Sequence, residues 1–175
     1  MSGIGHLAAG FAAKPAAPKI PLFLLLVAAE INDLLYFLFT SAGLEPKADI
    51  VTMDFIQGVR YSSAAPNPWS HGLFMSVIWS AVLAGIVFLV YRDRRASTLV
   101  GVVAFSHWVL DFLMHSNLPI FFEGSPLIGL GLENSGPGFL FMTTFDLVIL
   151  AAGILIYYRA KMKVTTQVHE KRRIA

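Results

Sequence analysis

The chain has 175 residues, of which 56% are apolar and only 14% charged, and its formal net charge is +2. A soluble domain carries about 25% charged residues, so this composition argues against an ordinary water-soluble fold and for a membrane. There is no cysteine, which excludes disulfides and thiolate metal sites and leaves any metal with nitrogen and oxygen ligands.

Residues 3–14 place Ile4, Leu7, Ala8 and Phe11 at helical spacing. The stretch is too short to span a bilayer, and Pro15 and Pro18 separate it from the next apolar run. It reads as a short helix that either inserts, with Lys14 near the inside, or lies on the cytoplasmic surface. The near absence of a polar face favours insertion. Residues 20–40, 73–91, 98–115 and 139–158 are then apolar runs with almost no Lys or Arg. Each is about the length a helix needs to cross a ~30 Å hydrocarbon core. Two loops interrupt them. Residues 41–70 hold Glu45, Lys47, Asp49, Asp54 and Arg60 and end in Pro66-Asn67-Pro68. Residues 116–138 are rich in Gly and Pro yet apolar, with Pro119, Ile120, Phe121, Phe122, Leu127 and Ile128. A loop this apolar is expected to pack onto the bundle or dip into it, because irregular backbone at membrane depth persists only when buried in protein or lining a wet cavity.

Basic clusters set the topology. Arg92, Arg94 and Arg95 come after the second span, and Arg159, Lys161, Lys163, Lys171, Arg172 and Arg173 after the fourth. They read as cytoplasmic flanks rather than a nucleic-acid-binding face. Placed inside, they make the first span run outwards from Lys14 and Lys19, the second inwards, the third outwards and the fourth inwards. No basic n-region marks a cleavable signal peptide. The expected fold is all-α: a polytopic membrane helical bundle of four long transmembrane helices plus a short N-terminal inserted or interfacial helix. Residues 1–160 form one domain and 161–175 a flexible basic tail in the cytoplasm. The expected partners are membrane lipids and an amphiphilic small molecule, with no nucleic acid.

Ionisable groups within these spans are costly, and each raises a functional hypothesis. The first span carries Glu30 and Asp33, the third His107, Asp111 and His115, and the fourth Asp146. His71 sits at the outer start of the second span and His6 on the short helix. Glu30 and Asp33 share a helix face, and His107, Asp111 and His115 step by four along one stripe. At 1.5 Å rise per residue, His6 lies roughly 12 Å, His107 roughly 14 Å, Asp33 and Asp111 roughly 20 Å, and His71 roughly 30 Å above the cytoplasmic ends of their segments. The groups therefore gather in the middle and outer half of the bundle.

Imidazole with carboxylate suits zinc, and also manganese or iron. Three or four protein ligands with one open position would acidify a bound water to a pKa of about 7. The ligand candidates are His6, Asp33, His71, His107 and Asp111, with Glu30 as a spare carboxylate able to act as general base. Two plainer readings stand beside this one. The same residues serve equally as interhelical hydrogen-bond partners or as a proton relay. His115, at the membrane exit, is as much an interfacial or substrate-side group as a ligand. Asp146 is expected to be a satisfied polar contact, and His169 in the tail has no assigned role. Gly129 and Gly131 suggest a turn, since no strand-to-helix context makes them a nucleotide fingerprint.

The runs Phe105 to His115 (FSHWVLDFLMH), Pro68 to Leu73 (PWSHGL), Gly5 to Gly10 (GHLAAG) and Glu30 to Leu35 (EINDLL) resemble the bacterial YdjM-like membrane proteins, predicted metal-dependent hydrolases of the inner membrane. The stretch LPIFFEGSPLIGLGLENS is similar to a Gly-rich segment in one branch of them, and the resemblance covers most of the chain up to about Tyr158. It implies a ligand set of His6, Asp33, His71, His107 and Asp111. Where many relatives have two aspartates in the acidic motif, this chain has Glu30-Ile31-Asn32-Asp33. The leading expectation is a divalent-metal hydrolase with its site in the outer half of the bundle. The alternatives are a small transporter or ion-handling protein using the same cluster, and a structural protein whose polar residues only lock helices together.

Overall fold

In the computed structural model, residues 3–47, 50–54, 58–61, 66–122, 124–132 and 138–174 are described. Asp49 of the first long loop lies outside them, as does the side chain of His169. The protein is mostly helical. A single 3-10 turn at Ile4–His6 leads into α1 (Leu7–Ala13), and another comes after it at Lys14–Ala16. Then come α2 (Leu22–Ala29), α3 (Ile31–Ser41), α4 (Leu73–Tyr91), α5 (Arg94–Met114) and α6 (Gly138–Ile174). Among the described residues three helices are long and apolar enough to cross a membrane, namely α4, α5 and Leu140–Gln167 of α6. The number is four if α2 and α3 count as one span.

That pair departs from the straight helix expected over residues 20–40. The axis bends by 60° between Ala29 and Ile31. Glu30 leaves the helical region with φ −104° and ψ 11°. No proline lies at the bend, so the break has another cause, and the polar cluster supplies it. The all-helical expectation is also modified in the loops, each of which holds a small antiparallel ribbon. β1 (Ile50–Asp54) pairs with β2 (Gly58–Tyr61), and β3 (Leu118–Pro119) with β4 (Leu127–Ile128). Ile50, Val51 and Thr52 are β-branched and suit a strand better than a helix. α6 does not end near residue 160 but continues as helix to Ile174, over a segment in which Lys, Met, Gln, Glu and Arg outnumber the β-branched residues and which has neither Gly nor Pro.

Helix ends are set by local chemistry. Asp93 caps α5, its Oδ1 accepting the Ala96 N–H at 3.1 Å. That bond, with the Lys19 ammonium at 3.4 Å, holds the Asp93 carboxyl below the usual carboxylate range. α3 closes in a Schellman turn: Gly43 takes φ 72°, Leu44 N–H donates to Phe39 C=O at 2.8 Å and Gly43 N–H to Thr40 C=O at 3.2 Å. This turn delivers Glu45 to the end of the bundle.

The core is built from small side chains that let backbones approach closely. Ala28, Ala29, Val100 and Ala104 are buried where α2 meets α5. A Cβ on Gly101 of α5 would lie 3.2 Å from the Ser80 carbonyl oxygen of α4. α1 is not an exposed surface helix. It packs among α2, α5 and α6, with Ala8, Gly10 and Ala13 buried. A Cβ on Gly10 would lie 2.9 Å from the Leu25 carbonyl oxygen, and one on Gly153 of α6 would lie 2.5 Å from that of Ala8. α1 is thus seated between two glycine contacts. Gly153→Leu should force α1 off α6 and destabilise the fold by about 1–3 kcal/mol, the usual cost of overpacking. Thermal unfolding of purified protein in detergent measures it, and an unchanged midpoint would refute the seating.

Candidate metal centre

Four segments of the chain bring their polar residues to one point. α5 presents His107 and Asp111 one turn apart. α3 presents Asp33 just beyond the bend, the turn before α1 presents His6, and the turn before α4 presents His71. Asp111 lies at the middle. Its Oδ2 is 3.3 Å from His107 Nε2 and 3.6 Å from His71 Nε2. Its Oδ1 is 3.4 Å from His6 Nε2 and 3.6 Å from His115 Nε2. Asp33 Oδ1 stands opposite, 3.2 Å from His71 Nε2 and 3.6 Å from His107 Nε2. The His6 and His107 rings stack with centroids 3.6 Å apart and planes 11° from parallel. Ligand atoms of His6, His107 and Asp111 all lie within 4.8 Å of one another, as do those of Asp33, His71 and His107. These His/Asp groups could hold a metal ion.

The bend in the first span is part of this arrangement. In an unbroken helix the Ala29 carbonyl would accept the N–H four residues on. Here it accepts the Nδ1–H of His107 at 2.8 Å instead. An imidazole from a neighbouring helix has entered the hydrogen-bond ladder, a recognised cause of kinking. The swap leaves the buried carbonyl satisfied and turns Asp33 towards the cluster. It also fixes the His107 tautomer, because a carbonyl can only accept. Nδ1 carries the hydrogen, and Nε2 faces the two aspartates. That Nε2 is buried and makes no hydrogen bond, so it points at neither carboxylate oxygen well enough to donate.

Exposure is uneven. His107 is sealed (0%) and Asp111 nearly so (3%), whereas the Asp33 side chain is 45% exposed, His115 27% and His71 15%. The cluster has a buried floor of His6, His107 and Asp111 and an open side at Asp33, His71 and His115. Tyr36 turns its ring edge to His71 at 5.9 Å.

Glu30 sits at the bend itself, with one buried carboxylate oxygen, Oε1, that finds no hydrogen-bond partner. It makes no direct contact with the ligand atoms but lies in electrostatic range of His107, Asp33, Asp111 and Asp146. Asp146 is fully buried in α6 and has a partner. His115, left open on sequence grounds, joins the cluster through Asp111. Neither Glu45 nor Asn32 stands out as a site residue in the sequence, whereas Ser70 stands beside His71 in the PWSHGL run. Buried Glu45 accepts the Trp69 and Ser70 N–H groups at 2.8 and 2.9 Å and the Ser70 hydroxyl at 2.7 Å. Ser70 Oγ in turn lies 2.9 Å from His71 Nδ1. Asn32, fully buried, donates to Ser76 Oγ of α4 at 2.9 Å and ties α3 to α4 beside the site.

The apolar second loop packs onto the end of α5, as its composition suggests. Leu118 and Pro119 are buried, Leu130 N–H donates to Phe112 C=O at 2.8 Å, and Gly131 N–H donates to His115 C=O at 3.1 Å. Gly129 has φ 136°, and a Cβ there would collide with the His115 carbonyl oxygen. Comparison of the chain with protein-family models, curated proteins and solved structures finds no match.

Gly129→Ala should undock this loop from the rim. The amides of Leu130 and Gly131 are expected to exchange with deuterium faster than in wild type while those of α4 keep their protection. Unchanged exchange at both amides would show that the loop tolerates the side chain.

Proposed function

We propose that this chain is a multi-pass inner-membrane protein in which His71, His107, Asp33 and Asp111 bind a divalent metal ion, preferably zinc, with His6 as a further ligand. The centre would hydrolyse an amphiphilic, lipid-like substrate. Four apolar helical spans, counting the bent pair as one, with the C-terminal basic segment in the cytoplasm, form the membrane part of the proposal.

The observation that carries the metal is the orientation of His107. With Nδ1 donating to the Ala29 carbonyl, Nε2 is a lone pair in the neutral ring, and it faces two carboxylate oxygens at 3.3 and 3.6 Å. Lone pair against anion is repulsive, and either a second ring proton or a metal ion between them removes the repulsion. The spacing agrees. Ligand atoms on a tetrahedral ion with bonds of 2.0–2.2 Å are about 3.3–3.6 Å apart. The four separations linking His71 and His107 to Asp33 and Asp111 are 3.2, 3.6, 3.6 and 3.3 Å. His71 Nε2 lies within hydrogen-bond distance of Asp33, but His107 Nε2, the most buried nitrogen of the cluster, makes no such bond, which favours an ion over a continuous proton relay.

A divalent ion held here supplies Lewis acidity and brings a water molecule towards neutral pKa. Asp33 and His71 line the exposed side, where substrate and water arrive. Glu30, with its unsatisfied carboxylate oxygen, is the acid left over to accept a proton as general base. Trp69, Phe121 and Phe122 are exposed near this end, with the Trp69 and Phe122 rings 4.7 Å apart, and this apolar surface supports an amphiphilic substrate. The likeness of the four motifs to YdjM-like proteins supports the same reaction class.

Metal analysis of purified wild type beside His107→Ala and Asp111→Ala tests the centre. Wild type should carry about one equivalent of ion and both variants close to none. Equal metal in all three samples would end the proposal. Glu30→Gln should retain the metal and lower turnover of model esters or phosphoesters roughly 10²–10⁴-fold. Full activity in that variant would remove Glu30 as base.

A further inference from the structure

The geometry points to Glu45 and Ser70 as positioning residues that set the tautomer and aim of His71. This inference rests on the metal reading above and extends it from the ligands to the groups that hold them.

The bonds to Glu45 have only one possible direction. A carboxylate only accepts hydrogen bonds. Glu45 uses Oε1 for the Trp69 and Ser70 N–H groups and Oε2 for the Ser70 hydroxyl at 2.7 Å. The Ser70 hydrogen is therefore committed to Glu45. Its oxygen then has only lone pairs to offer His71 Nδ1 at 2.9 Å, so Nδ1 must be the donor. His71 Nε2 is the ring nitrogen this leaves towards the cluster, within hydrogen-bond distance of Asp33 Oδ1 at 3.2 Å and 3.6 Å from Asp111 Oδ2. The result at His71 matches that at His107, where the Ala29 carbonyl plays the same part. In both rings Nδ1 faces an accepting oxygen and Nε2 faces the carboxylates, where an ion would take the place of any Nε2 hydrogen.

Burial makes the arrangement rigid. Ser70 is fully buried and Glu45 nearly so. Glu45 Oε1 satisfies the two amides of the turn, and Oε2 is left for the Ser70 hydroxyl. Hydrogen-bond partners of a ligating imidazole orient the ring and raise its basicity, and their loss typically weakens metal binding 10–100-fold. Glu45 lies in the first long loop, two residues past the glycine of the turn that ends α3. Through Ser70 it couples that loop to the metal-facing atom of His71.

Cobalt binding to the full-length protein in detergent tests this, with apo-protein melting temperature as the control. Ser70→Ala removes the relay but leaves the two backbone bonds of Glu45 intact, and it should weaken the cobalt Kd 10–100-fold. Glu45→Gln is isosteric, but its amide hydrogens would meet Ser70 Oγ and turn the hydroxyl towards His71, so a comparable loss is expected. Ser70→Thr keeps the hydroxyl and should bind near the wild-type value. Wild-type Kd in either Ser70→Ala or Glu45→Gln would overturn the relay while leaving the metal reading intact. Absence of cobalt binding by wild type would instead overturn both.

Discussion

One hydrogen bond organises the site: the Nδ1–H of His107 on the carbonyl of Ala29. It is a bond between helices that takes the place of a bond within one. Because His107 satisfies that carbonyl, α2 can stop at Ala29 without leaving a buried acceptor unpaired, an omission that would cost about 1–3 kcal/mol. Because α2 stops there, α3 sets off at 60°, and Asp33 comes opposite Asp111. The same bond leaves His107 Nε2 as the inward-facing atom. Bend, carboxylate placement and imidazole polarity are thus consequences of a single contact between α2 and α5.

The second requirement is that four helical segments come close enough for short side chains to meet. Glycine and alanine provide this. Gly153 against Ala8 and Gly10 against Leu25 seat α1 so deeply that His6 can stack on His107. Gly101 against Ser80 brings α4 to α5. A bundle with larger residues at these points would hold the same ionisable groups too far apart to share an ion. The polar contact of Asn32 with Ser76 then fixes α3 against α4. Small residues set the approach, and polar pairs set the register.

Much of this is legible in the sequence, for identifiable reasons. The four apolar runs stand out because each has the length and apolarity a helix needs to cross a hydrocarbon core. The stripe of His107, Asp111 and His115 comes from helical periodicity alone. The co-location of Asp33 and His71 with that stripe comes from counting rise per residue. The bend is not legible, because its cause is a side chain 78 positions away, and nothing within residues 22–40 is a Pro or Gly that would break a helix. Glu45 is hidden for a similar reason. It sits among other loop charges, 25 positions before the serine it holds, and only tertiary structure distinguishes it from Lys47. The ribbon strands escape detection because pairings of two to five residues carry little periodic signal. The extension of α6 past residue 160 escapes it because a basic cluster marks where a span leaves the hydrocarbon, not where its helix stops.

The unequal exposure of the cluster has a kinetic meaning. An ion entering from water would meet Asp33, 45% exposed, and His71 before it reached Asp111 and His107, whose side chains are 3% and 0% exposed. Capture and release would then be stepwise, with the outer pair exchanging bound solvent for protein first and letting go last. All four ligands would set the affinity, and the outer pair would in addition set how fast a chelator strips the ion. Residence time would thus answer to the rim of the centre more than to its floor.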